Sequence, residues 1–263
     1  MKFGLKVHHT DIDQLLYLEP DAVEFALFPG DLDHREWADH VVTKVPIIVH
    51  APEKYSNGVI LDAGSIDEVQ RASALETLKS TIDLAAYLKA EYVIIHPGGV
   101  FRDRRHTPAK SLVNTIAALK SYASNRVELL LENMPYYYRT RGELWHSCLF
   151  NRPQDIINIL NQTELHMCLD ICHAKLFCNV TGLSFRQVIK TLLPYAQHIH
   201  VSDAAGEAGE GLQICEGGID WGQLLELTKD YNLIAVPEID NGFIDKGKGF
   251  RIALERLSQM GFY

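Results

Sequence analysis

The sequence predicts an α/β fold, a (β/α)8 or TIM barrel in which residues 1–263 form a single domain. Eight short apolar segments alternate with segments of helical periodicity, and this alternation implies a parallel sheet. The length is typical of one α/β barrel. Six of the apolar segments have histidine, aspartate or glutamate as the last or second-last residue, as expected of strands at the catalytic end of a barrel. An open doubly wound sheet is the alternative, but no GxGxxG motif follows the first strand.

The predicted strands are short apolar segments bounded by turn residues. In chain order they comprise residues 3–7, 22–28, 45–50, 92–96, 127–132, 165–170, 198–201 and 233–238. Pro29-Gly30 closes the second strand and Pro97-Gly98-Gly99 follows the fourth. Both combinations favour turns, which supports these strand ends.

Amphipathic segments between the strands predict helices. They comprise residues 10–18, 32–42, 65–88, 108–121, 153–160, 184–193, 220–229 and 248–260. The longest has apolar residues at helical spacing, and Ser65 with Glu68 forms a predicted capping box at its start. Each predicted helix follows a strand, as the barrel requires.

Composition indicates a globular cytoplasmic protein. The chain is 47% hydrophobic and 22% charged, and its five cysteines include no CxxC pair, so we expect reduced thiols. The first residues lack the apolar segment of a signal peptide, and no segment approaches the length of a membrane span. A net charge of -9 disfavours nucleic acid as a partner, although a local basic patch could suffice for binding.

Six predicted strands end in side chains that bind metals or transfer protons. These residues are His50, His96, Glu132, Asp170, His200 and Glu238. A single residue of this kind is often structural, but strand ends of a barrel converge, and clustered desolvated carboxylates repel one another unless a cation joins them. The set therefore predicts a site for a divalent ion, such as Mn²⁺, Zn²⁺, Co²⁺, Mg²⁺ or Fe²⁺.

Loop residues beyond these strand ends are candidates for substrate binding. His173 lies on the predicted loop after Asp170, and Glu210 lies in an acidic loop after the seventh strand. Arg139 and Arg141 follow a run of tyrosines after the fifth strand. The basic and aromatic loops suit a phosphate, a carboxylate or a nucleic-acid backbone, or they form solvated surface. We expect His173, Arg139, Arg141 and Glu210 to contact the substrate.

Several strings, taken in order, resemble the xylose isomerase-like TIM-barrel superfamily, which includes sugar isomerases, sugar epimerases and endonuclease IV. They are VHAP (49–52), IIHPGG (94–99), LENMP (131–135), LDICHAK (169–175), HVSDA (200–204), GEGLQICEGGIDW (209–221) and PEID (237–240). The ordered set covers the third to the eighth predicted strand. It is much more specific than any single string.

The resemblance to ketose 3-epimerases implies that Glu132, Asp170, His200 and Glu238 bind one divalent ion. It also implies that Glu132 and Glu238 transfer protons to and from the carbon beside the substrate carbonyl, through an enediolate. The expected function is a metal-dependent isomerase or epimerase of a small sugar, sugar phosphate or related polyol.

The resemblance leaves other activities open. In endonuclease IV, additional ligands match His50, His96 and His173. The Asp-x-His motif that completes its cluster of three ions is absent after the seventh strand, where the chain reads Gly-Glu-Gly-Leu-Gln (209–213). The resemblance thus implies one or two ions, with the second ion held by His50, His96 and Glu132. The alternatives are a metal-dependent phosphodiesterase acting on abasic DNA, a lyase of the 3-dehydroshikimate dehydratase type, and a barrel that only binds a sugar or a metal.

Overall fold

The structure, a computed structural model, describes residues 1–41 and 43–263. The strands are β1 (Lys2–Val7), β2 (Ala22–Ala26), β3 (Ile47–His50), β4 (Tyr92–Ile95), β5 (Val100–Phe101), β6 (Glu128–Glu132), β7 (Tyr137–Thr140), β8 (Glu143–Ser147), β9 (His166–Asp170), β10 (Ala196–Val201), β11 (Asp203–Ala205), β12 (Gly209–Leu212) and β13 (Ile234–Pro237). The helices are α1 (Ile12–Leu15), α2 (Pro29–Asp33), α3 (Glu68–Tyr87), α4 (Lys110–Ala123), α5 (Pro153–Thr163), α6 (Ile171–Thr181), α7 (Phe185–Leu192), α8 (Trp221–Thr228) and α9 (Ile244–Gln259).

Eight parallel strands close into a barrel in the order β1, β13, β10, β9, β6, β4, β3 and β2. The barrel closes through β1, which pairs with β13 on one side and with β2 on the other. All eight predicted strands are present, and each observed end lies within two residues of the predicted one. The predicted (β/α)8 barrel is confirmed.

Strand side chains alternate between the helical layer and the inside of the barrel. Every second residue of β1, such as Leu5, packs in the large core that includes residues of the surrounding helices. A separate small cluster of buried residues belongs to the opposite strand face; it consists of Ala22, Ile48, Ile94, Leu130 and Cys168. Nearer the carboxyl ends of the strands, this inner face changes from apolar to charged, and the candidate site lies there.

Two helix starts differ from the sequence expectation. The predicted capping box at Ser65 is wrong: Asp67 caps α3, accepting hydrogen bonds from the N–H groups of Val69 and Gln70. Asp67 lies directly before the helix, so its carboxylate reaches the first free N–H groups, whereas Ser65 lies two residues further from them. The helix predicted over residues 32–42 instead begins at Pro29 and continues as a 3₁₀ segment, Arg35–His40. Its predicted end, Val42, lies outside the described residues.

The loop predicted after Asp170 is wrong, because α6 begins there without a break. Asp170 caps α6, with its Oδ1 accepting the N–H of His173 at 2.5 Å. Two small sheets were also not predicted, a three-stranded sheet of β5, β8 and β7 and a hairpin of β11 and β12. Both belong to connections that leave carboxyl ends of barrel strands. Within the described residues, no helix has both the length and the apolar composition to cross a membrane.

Candidate metal centre

Side chains from the ends of several barrel strands meet around Glu132, which is 1% exposed. Its Oε2 lies 3.1 Å from His50 Nε2, 3.3 Å from His96 Nε2 and 3.4 Å from His200 Nδ1. Its Oε1 lies 3.4 Å from His173 Nδ1. The structure therefore brings together residues that are up to 150 positions apart in the chain, because parallel strands end at one face of the barrel.

Four of these strand-end residues offer ligand atoms that all lie within 4.8 Å of one another: Glu132, Asp170, His200 and Glu238. His200 Nδ1 is 3.4 Å from Glu132 Oε2, 3.9 Å from Asp170 Oδ2 and 3.4 Å from Glu238 Oε1. This buried nitrogen has no hydrogen-bond partner among the described residues. Three carboxylates and one imidazole are a donor set for Mn²⁺, Zn²⁺ or a similar divalent ion. The residues therefore fit a metal ion.

Two charged residues beside these four were not predicted from the sequence. Glu24 is fully buried, and its Oε2 accepts hydrogen bonds from His198 Nε2 at 2.8 Å and His200 Nε2 at 2.9 Å. When His200 donates its Nε2–H to Glu24, the lone pair of Nδ1 is directed to the four-residue cluster. Lys6 Nζ contacts Glu238 and lies 3.4 Å from Glu24 Oε1. Both residues interrupt apolar strands, which is the sequence signal that could have found them.

Burial and neighbouring charges shift the pKa values of Glu132 and Asp170 in opposite directions. Burial acts to raise the pKa of Glu132, but the imidazoles of His96 and His200 hold this pKa well below its usual range. Burial raises the pKa of Asp170 to about 7, and the neighbouring carboxylates of Glu238 and Glu132 add to the rise. Asp170 therefore holds a proton near neutral pH, and a metal ion that binds there must displace it.

A cavity of about 250 Å³ opens above the cluster. Glu132, Asp170 and Glu238 line it, together with Lys6 and Tyr138. The two candidate catalytic glutamates, Glu132 and Glu238, thus both lie in the wall of this cavity. Its volume is below the range of pockets for drug-sized ligands, so it suits a small molecule.

The structure brings two of the four predicted substrate-binding residues to this cavity. His173 and Glu210 line it, with His173 Nε2 3.8 Å from Glu210 Oε2. Burial lowers the pKa of His173, but Asp170 and Glu132 outweigh that effect and raise it to about 9. His173 therefore supplies a positive charge at the wall of the cavity.

The structure does not bring Arg139 and Arg141 to the cavity. Both are exposed, Arg139 on β7 and Arg141 in the turn that joins β7 to β8. Side chains alternate along β7, and Tyr138 occupies the inward position, where its hydroxyl donates a hydrogen bond to Glu53. Arg139 consequently faces the other way.

The basic loop after β4 also lies away from the cluster. Arg104 contacts the hydroxyl of Tyr136, and the Arg105 guanidinium lies over the Phe101 ring, 4.1 Å from its centre. Arg104 and Arg105 line a different and larger cleft of about 1340 Å³. Their charges are therefore engaged with aromatic rings outside the small cavity.

Comparisons with known proteins agree with this fold. Residues 20–260 match the family model described as xylose isomerase-like TIM barrel. An uncharacterized protein of Methanocaldococcus jannaschii is 27% identical over 202 residues, which are 75% of this chain and 65% of that relative, so the chain spans less than two thirds of the relative's length.

Two solved structures share the architecture. A D-tagatose 3-epimerase-like protein superposes with a TM-score of 0.74 at 24% identity, over 100% of this chain and 99% of that one. Endonuclease IV from Thermus thermophilus superposes with a TM-score of 0.68 at 17% identity, over 98% of this chain and 100% of that one. Proteins of this family are enzymes that commonly bind divalent metals such as zinc. With nearly its whole length matched, the chain belongs to the xylose isomerase-like TIM-barrel family.

Proposed function

We propose that the protein is a metal-dependent isomerase or epimerase of a small sugar, sugar phosphate or related polyol. The observation that carries this proposal is the buried His200 Nδ1, which has no hydrogen-bond partner in the part of the chain that the structure describes and faces Glu132, Asp170 and Glu238 at 3.4 to 3.9 Å. A divalent ion held by these four residues would polarise a substrate carbonyl and stabilise negative charge on its oxygen.

In this proposal Glu132 and Glu238 transfer the protons. Glu132 ends β6 and Glu238 directly follows β13. These two strands are separated in the barrel by β9 and β10, so the two carboxylates approach the cavity from different directions. One removes a proton from the carbon beside the carbonyl, and the other returns a proton to the opposite face. Burial acts to raise the pKa of Glu238, but His200 and Lys6 lower it, which keeps this carboxylate ionised and able to accept a proton.

The cavity walls favour a small polyol over a phosphodiester. Glu53, Glu210 and Asp240 line it in addition to Glu132, Asp170 and Glu238. These carboxylates would repel a nucleic-acid backbone, whereas they accept hydrogen bonds from sugar hydroxyls. Lys6 and His173 supply the positive charges that a phosphate on the sugar would need.

An endonuclease IV-like phosphodiesterase is the second candidate. His50 and His96 both approach Glu132 Oε2, at 3.1 and 3.3 Å, which is an arrangement suited to a second ion. The loop after β10, however, has no Asp-x-His motif; its residues form the β11–β12 hairpin. A third ion would lack those ligands.

The decisive experiment measures conversion of ketohexoses and ketopentoses to their epimers in D₂O, with Mn²⁺ or Zn²⁺ added. We expect deuterium at the inverted carbon, detected by NMR. Glu132→Gln and Glu238→Gln should each lower conversion by about 10²- to 10⁴-fold, the usual contribution of a general acid or base. Glu128→Gln, an exposed glutamate at the other end of β6, is the control and should retain activity.

An abasic DNA duplex serves as the competing substrate. Incision of this duplex that is lost in His50→Ala and His96→Ala, with no epimer formed from any ketose, would replace the epimerase proposal with the nuclease. Absence of both activities in folded, metal-loaded protein would contradict both proposals.

A further inference from the structure

A second group of potential metal ligands lies outside the central cavity, above β1 and β2. His8 and His9 directly follow β1, and Asp31 lies in α2, which follows β2. His8 Nε2 is 3.2 Å from Asp31 Oδ1 and 3.1 Å from Oδ2, and His9 Nε2 is 3.0 Å from Oδ1. None of the three lines the central cavity. Two imidazole nitrogens thus converge on one carboxylate.

The chain conformation makes this convergence possible. Consecutive side chains of a strand point to opposite faces, so His8 and His9 would diverge if β1 continued. The chain turns at His9 instead, and the two rings lie 4.1 Å apart. His9 stacks on Trp37 at 4.9 Å, and His8 packs against Phe28 at 5.3 Å. These aromatic contacts hold both imidazoles in place.

The Asp31 carboxylate is also held in place by the protein. Asp31 is 7% exposed, and its Oδ2 accepts the N–H of Phe28 at 2.6 Å. His8 and His9 keep 23% and 24% of their side chains exposed, so an ion between the three residues can reach solvent. The protein therefore fixes the three side chains before an ion binds, and the exposed parts of His8 and His9 let an ion enter from solvent.

Distances and bonding at the cluster suit a divalent ion. An ion bound at about 2.0–2.2 Å from each donor keeps neighbouring donors roughly 3–3.5 Å apart, and the measured nitrogen–oxygen distances are 3.0–3.2 Å. His8 Nδ1 lies 2.8 Å from the hydroxyl of Thr10 and accepts the N–H of Thr10 at 3.4 Å, and these contacts turn Nε2 towards the Asp31 oxygens. A metal ion bound there would take the place of the proton between Nε2 and the carboxylate.

We propose that His8, His9 and Asp31 form a second metal site, for one divalent transition-metal ion such as zinc. Two neutral imidazoles and a carboxylate are a common ligand set for Zn²⁺ and Fe²⁺. Three protein ligands leave at least one coordination position open to water or to a small anionic ligand. This site is independent of the proposed epimerase chemistry, because it shares no residue with the central cluster.

Zinc binding by the purified full-length chain tests the proposal. After removal of metals, the protein is equilibrated with excess ZnCl₂ and its bound zinc is counted by mass spectrometry. We expect the double variant His8→Ala/His9→Ala to bind one zinc ion fewer per chain than the wild type. The variant Asp31→Asn, which keeps the acceptor for Phe28 N–H, should show the same loss. Thr10→Val should weaken zinc binding at this site by about 10- to 100-fold.

Matched controls separate this site from the central one. His34→Ala/His40→Ala removes two exposed histidines from the same region and should bind as much zinc as the wild type. Asp170→Asn should lose only the central ion. Trp37 stacks on His9, so Co²⁺ bound here should quench its fluorescence in the wild type and in Asp170→Asn but not in Asp31→Asn. Equal zinc content in the wild type and in folded Asp31→Asn would overturn the proposal.

Discussion

Replacing Glu24 with glutamine should weaken metal binding at the central cluster although Glu24 is not a proposed ligand. Its Oε2 accepts hydrogen bonds from His198 at 2.8 Å and His200 at 2.9 Å, and its charge keeps His200 oriented. Loss of such a partner typically costs 10- to 100-fold in metal affinity, which is about 1.4–2.7 kcal/mol. The same change removes the negative charge of Glu24 beside Lys6. Glu238 is then the remaining close carboxylate partner of Lys6, so Lys6 competes more strongly with a metal ion for this proposed ligand.

Isothermal titration of the metal-free protein with zinc measures this effect. We expect the dissociation constant of Glu24→Gln to rise 10- to 100-fold, while that of the exposed control Glu128→Gln stays at the wild-type value. Circular dichroism confirms that both variants are folded. If folded Glu24→Gln binds zinc at the central cluster as tightly as the wild type, then Glu24 does not orient His200 and the reasoning is refuted.

Three further predictions concern pH, metal-linked stability and a loop. Asp170 has a raised pKa of about 7 without metal, so zinc affinity should fall about tenfold per pH unit below 7, and an affinity independent of pH in competition titrations would argue against this ligand. The stability that protonated Asp170 gives the metal-free protein should correspondingly disappear as the pH rises through 7. Zinc at about 100 times the dissociation constant of the central site should stabilise the fold through that site by about 2.7 kcal/mol, roughly 5–11 °C in melting temperature, and Asp170→Asn should lose this contribution of the central site. Gly98 has φ +77°, and a Cβ there would lie 2.3 Å from Asp62 Oδ1, so Gly98→Ala should lose about 1–3 kcal/mol in urea unfolding. Gly30→Ala should not, because no atom of residues 1–41 and 43–263 outside its immediate neighbours lies within 4 Å of a Cβ there.

The sequence was sufficient to predict the barrel because its strands are bounded by strong local signals. It was insufficient for α6, because this helix follows β9 without a turn. Residues of α6 such as Ile171, Cys172 and Leu176 are buried on more than one side, so the helix lacks a clear polar stripe. The remaining signal was Asp170 itself, since aspartate is a favoured residue at a helix start. Because Asp170 was interpreted as a strand-end metal ligand, its role as the N-cap of α6 was not predicted.

The convergence of the strand-end ligands could be expected from topology alone, whereas the residues that support them could not. Glu24 and Lys6 lie inside β2 and β1, not at a strand end, and only the parity of side chains along a strand shows that they face the barrel interior. Arg139 illustrates the opposite error. Arg139 lies away from the cavity because of the register of the β7–β8 hairpin. This register depends on strand pairing that the sequence pattern did not reveal.

The surroundings of the two glutamates suggest different parts in the proposed reaction. Glu132 is 1% exposed, with four imidazoles around it, and its pKa is well below the usual range, so it is the weaker base. Glu238 keeps 21% of its side chain exposed and contacts Lys6. We infer that Glu238 removes the substrate proton. Glu132 is ionised and has no proton of its own to return, so it passes on the proton of His173, whose Nδ1 lies 3.4 Å from Glu132 Oε1. Glu132→Gln should then still exchange the substrate proton with solvent while failing to invert the carbon, and Glu238→Gln should do neither. Equal loss of exchange in both variants would contradict this division of roles.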